Sequence, residues 1–155
     1  MNEEVTGVMG ETREFVTIMV GEQLCGIDVL KVRDILRPQK ITQVPLASRE
    51  VAGLLNLRGR IVTAINLRGR LGLDADNSGG EGMSVVIERR GELYSLAVDS
   101  VGEVLRLSSD AFERNPATLD QIWRQYSQGV YRLEEGLLVV LDDDSLLDYG
   151  GQAAA

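Results

Sequence analysis

Histidine is absent from the chain, and with it every mechanism that an imidazole serves. There is no Ser-His-Asp triad, no Cys-His pair, no His-ligated zinc and no phosphohistidine acceptor, so an enzyme built here would work with carboxylates, lysine or hydroxyls alone. Cysteine occurs once, at Cys25, which excludes an internal disulfide and any cysteine-based metal cluster. In the context Gln23-Leu24-Cys25-Gly26-Ile27 it reads as a small buried hydrophobe. Long hydrophobic runs are missing too: none approaches the roughly 20 residues that a membrane-crossing helix needs. The acidic start Met1-Asn2-Glu3-Glu4 has neither a basic nor an apolar region, so no secretory signal is visible and a cytoplasmic location is expected. Cations are outnumbered, 16 against 24 anions for a formal net charge of −8, which opposes the counterion-release electrostatics of nucleic-acid binding. What remains is 155 residues with 44% hydrophobic and 26% charged content, the composition of one globular domain or of two small subdomains sharing a core.

Short apolar segments punctuated by glycine-containing turns organise this composition. Residues 1–13 and 149–155 read as a flexible leader and tail. Phe15 to Val20 alternates, with Val16, Ile18 and Val20 on one face, and Gly21-Glu22 turns it into a second strand, Leu24 to Ile27. Asp28 is placed to cap a short helix with Val29, Val32 and Ile35-Leu36 inward and Lys31, Arg33 and Asp34 outward, ended by Pro38. An extended piece, Ile41 to Val44, leads to a second hairpin in which Gly53 to Leu57 turns at Arg58-Gly59-Arg60 into Ile61 to Ile65. The Asp-, Ser- and Gly-rich stretch 74–82 is the expected boundary between two subdomains.

Beyond that stretch the same order of events recurs. Met83 to Ile87, the turn Gly91-Glu92, Leu93 to Val98 and Asp99 repeat the first hairpin and its cap. Residues 53–66 run without gaps alongside 129–142, apolar on apolar, while Arg58 and Arg60 give way to Glu134 and Glu135. A shorter duplication begins in the second hairpin: Asn56-Leu57-Arg58-Gly59-Arg60 returns after it as Asn66-Leu67-Arg68-Gly69-Arg70. Short strands at close spacing with few helical periods predict an all-β fold of two small, similar barrels packed together.

Candidate chemistry is sparse. Asp142-Asp143-Asp144 offers oxygen ligands for a hard metal, but three consecutive carboxylates diverge and no EF-hand spacing follows, so a capping turn for Ser145 to Leu147 is the expectation, with no metal or cofactor. Gly79-Gly80-Glu81-Gly82 lacks a phosphate-loop context. Trp123 and Tyr126 read as core, with an interface anchor as the alternative. Arg60, Arg68 and Arg70 fit a solvated basic face. Arg58 differs, because it precedes a turn glycine at a strand end and projects its guanidinium from a rigid hairpin suited to preorganised forked hydrogen bonds. A noncatalytic protein-binding module is the expectation, and a basic-hairpin nucleic-acid binder built on small barrels is the alternative.

The segment from Gly53 to Arg68 closely resembles the signature of CheW-type chemotaxis coupling proteins. Gly26 to Ile35 and Val98 to Leu105 resemble the same family's earlier and later motifs, in the right order, and the likeness extends over about residues 14 to 148. The resemblance implies a cytoplasmic, noncatalytic adaptor of two SH3-like, five-stranded β-barrel subdomains packed together, with no nucleic acid and no membrane insertion. It would bridge the cytoplasmic tips of methyl-accepting chemoreceptors to the regulatory domain of a CheA-type histidine kinase, with self-association in rings as a further possibility. Residue by residue, it implies a kinase-facing role for Val32, Asp34 and Gly53, and a receptor-facing role for Arg58, Val85, Val86, Val101 and Val104. Departures are Thr63 and Asn66, where the family usually has proline and aspartate, and Thr118, near an aromatic position of the second kinase contact, for which substitution by Leu119 or Phe112, a different kinase, homomeric rings, or a gliding or pilus branch are the alternatives.

Overall fold

The computed structural model describes residues 11–37, 39–45, 51–73 and 82–148. Ten strands and three short helices succeed one another there: β1 (Thr12–Val20), β2 (Gln23–Asp28), β3 (Val32–Leu36), β4 (Val51–Leu57), β5 (Arg60–Ile65), α1 (Leu67–Arg70), β6 (Met83–Arg89), β7 (Glu92–Val98), β8 (Ser100–Ser108), α2 (Gln121–Gln125), β9 (Ser127–Leu133), β10 (Gly136–Leu141) and α3 (Asp143–Leu147). They form two five-stranded sheets, ordered β8-β1-β2-β10-β9 and β3-β6-β7-β5-β4. Each sheet curls until its ends meet. Thr42, just beyond β3, exchanges two 2.8 Å backbone hydrogen bonds with Leu54 of β4, and Glu113, beyond β8, exchanges two of 2.9 Å with Val130 of β9. Closure of this kind removes sheet edges that would otherwise invite foreign strands. We call the barrel holding β1 barrel A and the one holding β3 barrel B.

The duplication is visible in the register. Ile18 of β1 faces Val101 of β8 and Val16 faces Val104, as Ile87 of β6 faces Val32 of β3 and Val85 faces Ile35. Both pairings carry a bulge at the same place. Gly53 and Gly129 occupy matching sites beside the closing bridges, at φ 156° and 158°. The β1-β2 hairpin, however, sits in barrel A with β8 to β10, whereas β3 to β5 complete barrel B with β6 and β7. A division of the strands near 74–82 is therefore corrected: each repeat lends its first hairpin to the other's barrel, through the crossovers β2 to β3 and β7 to β8. Of the expected boundary, residues 74–81 lie outside the described residues, as do Pro38 and the tail 149–155.

Two local expectations also change. Residues 1–10 lie outside the described part, but Thr12 and Arg13 belong to β1, paired with Ser108 and Leu107, so the expected leader is too long by at least these two. Asp28 does cap, its Oδ1 accepting from Leu30 N at 2.9 Å, yet it caps only a single 3-10 turn, Val29–Lys31, and the chain then enters a strand. Val32 adopts extended φ/ψ, and its β-branched neighbour Ile35 suits the pleat against β6 better than a helical turn.

Three apolar clusters hold the fold. The largest lies between the barrels and combines Val16, Ile18 and Cys25 of barrel A with Ile65, Val85 and Leu96 of barrel B. Val62, Val86 and Leu93 fill barrel B; Phe15, Tyr131 and Leu138 fill barrel A. Cys25 is fully buried, and that burial pushes its thiol well above the ordinary range.

Candidate interaction surfaces

The β4-β5 hairpin turns through Arg58 and Gly59, both left-handed at φ 53° and 86°. Two such residues in succession match the twist of the flanking strands, and Asn56 Oδ1 accepts from Gly59 N at 2.9 Å to fix the turn. Arg58 is thereby held out from the barrel, its side chain 73% exposed, with Nη1 donating to Asp34 Oδ2 at 2.6 Å. The Arg58 hydrogen bond holds the Asp34 carboxyl below the usual carboxylate range, against a small desolvation penalty and with help from the Ile35 N–H. Asp34 and Arg58, assigned by resemblance to different faces, are thus one ion pair on barrel B.

Barrel B also exposes apolar side chains that the sequence reading missed. Among the described residues, Ile35, Ile41, Val44 and Ile61 are large hydrophobics left exposed on barrel B and the segment that closes it, Ile61 the most at 60%. Arg33, Arg37, Lys40 and Arg60 are exposed on the same elements. The usable signal was strand alternation in 32–36, which turns Ile35 outward, where a helical reading turned it in.

Three expected contact residues are corrected. Val85 and Val86 are both completely buried, because β6 is central in its sheet: Val85 points into the inter-barrel core and Val86 into barrel B. Gly53 is buried too, and a Cβ there would lie 2.4 Å from both Ile41 Cγ2 and Thr42 O, so it serves barrel closure. Val32 and Val101 are half-buried against the inter-barrel core, whereas Val104 on β8 is 50% exposed. Leu119 is buried and Phe112 packs 5.4 Å from the Tyr131 ring, which leaves neither as an aromatic contact in place of the one expected near Thr118. Trp123 and Tyr126 are core.

Several charges elsewhere are engaged internally. Asp142 caps α3 by accepting from Asp144 N and Ser145 Oγ, Asp143 meets Lys31 Nζ at 2.5 Å, and Asp144 meets Arg89 Nε at 2.7 Å. The three carboxylates diverge, and no cluster of metal-ligating side chains occurs among the described residues. Asn66 caps α1 through Gly69 N, as Asp142 caps α3, so its departure from the family's aspartate keeps the cap. Arg68 and Arg70, expected on a solvated face, turn inward onto barrel A: Arg68 to Asp99, Arg70 to backbone carbonyls of the α3 end. No helix of the described residues is long and apolar enough to cross a membrane.

Comparison with known proteins accords with this arrangement. Residues 14–150 match the model of the CheW-like domain. A chemotaxis protein CheW of Treponema pallidum is 31% identical over 139 residues, covering 87% of this chain and 82% of that protein. The protein PilI of Pseudomonas aeruginosa is 27% identical over 109 residues, 70% of this chain and 61% of its own length. In fold, the chain resembles the crystal structure of the scaffolding protein TtCheW from Thermoanaerobacter tengcongensis, with a TM-score of 0.81 at 24% identity over 92% of this chain and 97% of that one. The chain belongs to the CheW-like family.

Proposed function

We propose that the protein is a noncatalytic cytoplasmic adaptor joining the tips of chemoreceptors to the regulatory domain of a CheA-type histidine kinase, in chemotaxis or a related pilus or gliding pathway. The observation that carries this reading is the Arg58-Asp34 pair, held on a rigid hairpin beside exposed Ile35, Ile41 and Ile61. Apolar surface supplies affinity and the fork of a fixed arginine supplies register, the usual division of labour at a protein interface. The kinase-facing side then comprises Val32 and Asp34 with Ile35 and Ile41; the receptor-facing side comprises Arg58 with Val101 and Val104. Arg58→Glu keeps the fold, since an exposed pair contributes little to stability, but weakens recruitment of the receptor fragment to the adaptor-kinase complex. Ternary assembly equal to that of the natural protein sinks the assignment of Arg58.

Self-association is supported by a second observation. The site on barrel A equivalent to Asp34 and Arg58 carries Glu103 and Glu134, with Glu135 beside it, all exposed. A basic end and an acidic end on one chain suit head-to-tail contact, which gives rings where the rotation closes. Sedimentation at low salt should then show oligomers that Arg58→Glu/Arg60→Glu removes and that mixing with Glu134→Arg/Glu135→Arg restores.

A further inference from the structure

The second Asn-Leu-Arg-Gly-Arg belongs to neither docking face. Its helix α1 comes after β5 of barrel B and is planted between the barrels by Leu67 and Leu71, each 1% exposed. From there it grips barrel A twice. Arg68 Nη1 lies 3.1 and 3.2 Å from the two oxygens of Asp99, the residue joining β7 of barrel B to β8 of barrel A. The same carboxylate accepts from Gly21 N at 2.7 Å, so the β1-β2 turn is tied to the start of β8 as well. Arg70 reaches the other way. Its Nε donates to Leu146 O at 3.1 Å and its Nη2 to Ser145 O and Asp148 O at 2.8 and 3.1 Å, while the guanidinium lies 5.0 Å over the Tyr126 ring. Carbonyls at a helix end have no partner inside the helix, and a planar fork meets several at once as an ammonium cannot.

We propose that Arg68 and Arg70 are positioning residues for coupling: they fix β8, which carries Val101 and Val104, relative to the hairpin tip that carries Arg58 and to β3, whose Asp34 pairs with it. The proposal rests on the adaptor reading. The kinase side lies on barrel B alone and is indifferent to the angle between the barrels, whereas the receptor side joins Arg58 of barrel B to Val101 and Val104 of barrel A. Receptor engagement, and with it ternary assembly, is sensitive to that angle, because two linked contacts lose their joint affinity when geometry forbids both.

The test uses the full chain with Arg68→Gln, Arg70→Gln and Arg70→Lys, a receptor-tip fragment and the kinase regulatory domain, each pair titrated separately and all three together. The expected result is a kinase-domain affinity within about twofold of the natural protein, with receptor binding and ternary assembly weakened about tenfold, the scale of ordinary coupling between sites, and Arg70→Lys failing to rescue. Ternary assembly at the natural level in folded variants overturns the proposal. So does a loss of both binary affinities in step with melting temperature, which marks a merely structural role. If the natural protein binds neither partner, the adaptor reading fails, and spin labels at Arg60→Cys and Glu134→Cys judge the clamp alone. A distance distribution broadened by Arg70→Gln supports it, and an unchanged distribution overturns it.

Discussion

Gly53→Ala separates a docking residue from a closing one. A Cβ at Gly53 falls 2.4 Å from Ile41 Cγ2 and from Thr42 O. The methyl can rotate aside, but the carbonyl cannot, since it accepts Leu54 N in the bridge that closes barrel B. Overpacking against a fixed group costs about 1–3 kcal/mol, and the backbone at φ 156°, a region nearly confined to glycine, adds about 1–3 kcal/mol more. The sum, about 2–6 kcal/mol, is a large share of the roughly 5–15 kcal/mol that holds a domain folded. At about 2–4 °C per kcal/mol for a chain of this size, the melting temperature falls by roughly 5–20 °C. Urea and thermal unfolding monitored by circular dichroism measure the loss, and a change below about 0.5 kcal/mol refutes the reasoning. Gly129→Ala supplies an internal control: its Cβ would meet Phe112 Cζ at 2.4 Å and Glu113 O at 2.6 Å, so the repeat demands a similar loss.

Two other outcomes concern the surfaces. Because the folded state lowers the Asp34 pKa through Arg58, the pair's stabilisation is present above the unfolded carboxyl pKa and lost as pH falls through the lower folded value. Arg58→Gln should return the Asp34 carboxyl toward its ordinary range in an NMR titration; an unmoved Asp34 contradicts the pairing. Val85→Asp should abolish the cooperative thermal transition by burying an unpaired charge, whereas Val104→Asp should stay within about 0.5 kcal/mol of the natural protein. Comparable stability of the two would contradict the burial that removes Val85 from the receptor face.

Hairpins were the most legible part of the sequence, because alternation and turn glycines are local signals: β1-β2, β4-β5 and β9-β10 fall where Gly21, Gly59 and Gly136 place them. The helix expected over 29–36 failed because Val29, Val32 and Ile35-Leu36 satisfy a helical stripe and a bulged strand equally well. Only the pairing with β6 decides between them. Burial of both Val85 and Val86 was illegible for a related reason, since a central strand between two cores has no outward face. Arg68 and Arg70 match Arg58 and Arg60 letter for letter; what separates them is that Asn56 stays in a strand while Asn66 caps a helix that turns inward.

The exchange of hairpins between barrels also sets a timetable for synthesis. Gln23 Nε2 of β2 waits for the carbonyl of Leu137, 114 residues later, before barrel A can form on that side. At roughly 5–20 residues per second on the ribosome, the first hairpin stands incomplete for roughly 6–20 s, with apolar strand faces that a chaperone would cover. Barrel B closes earlier, since β7 completes it, but the core between the barrels needs β9 and β10. A chain broken before β10 therefore lacks the strand that bridges β2 to β9 and the packing that seats the two barrels against each other.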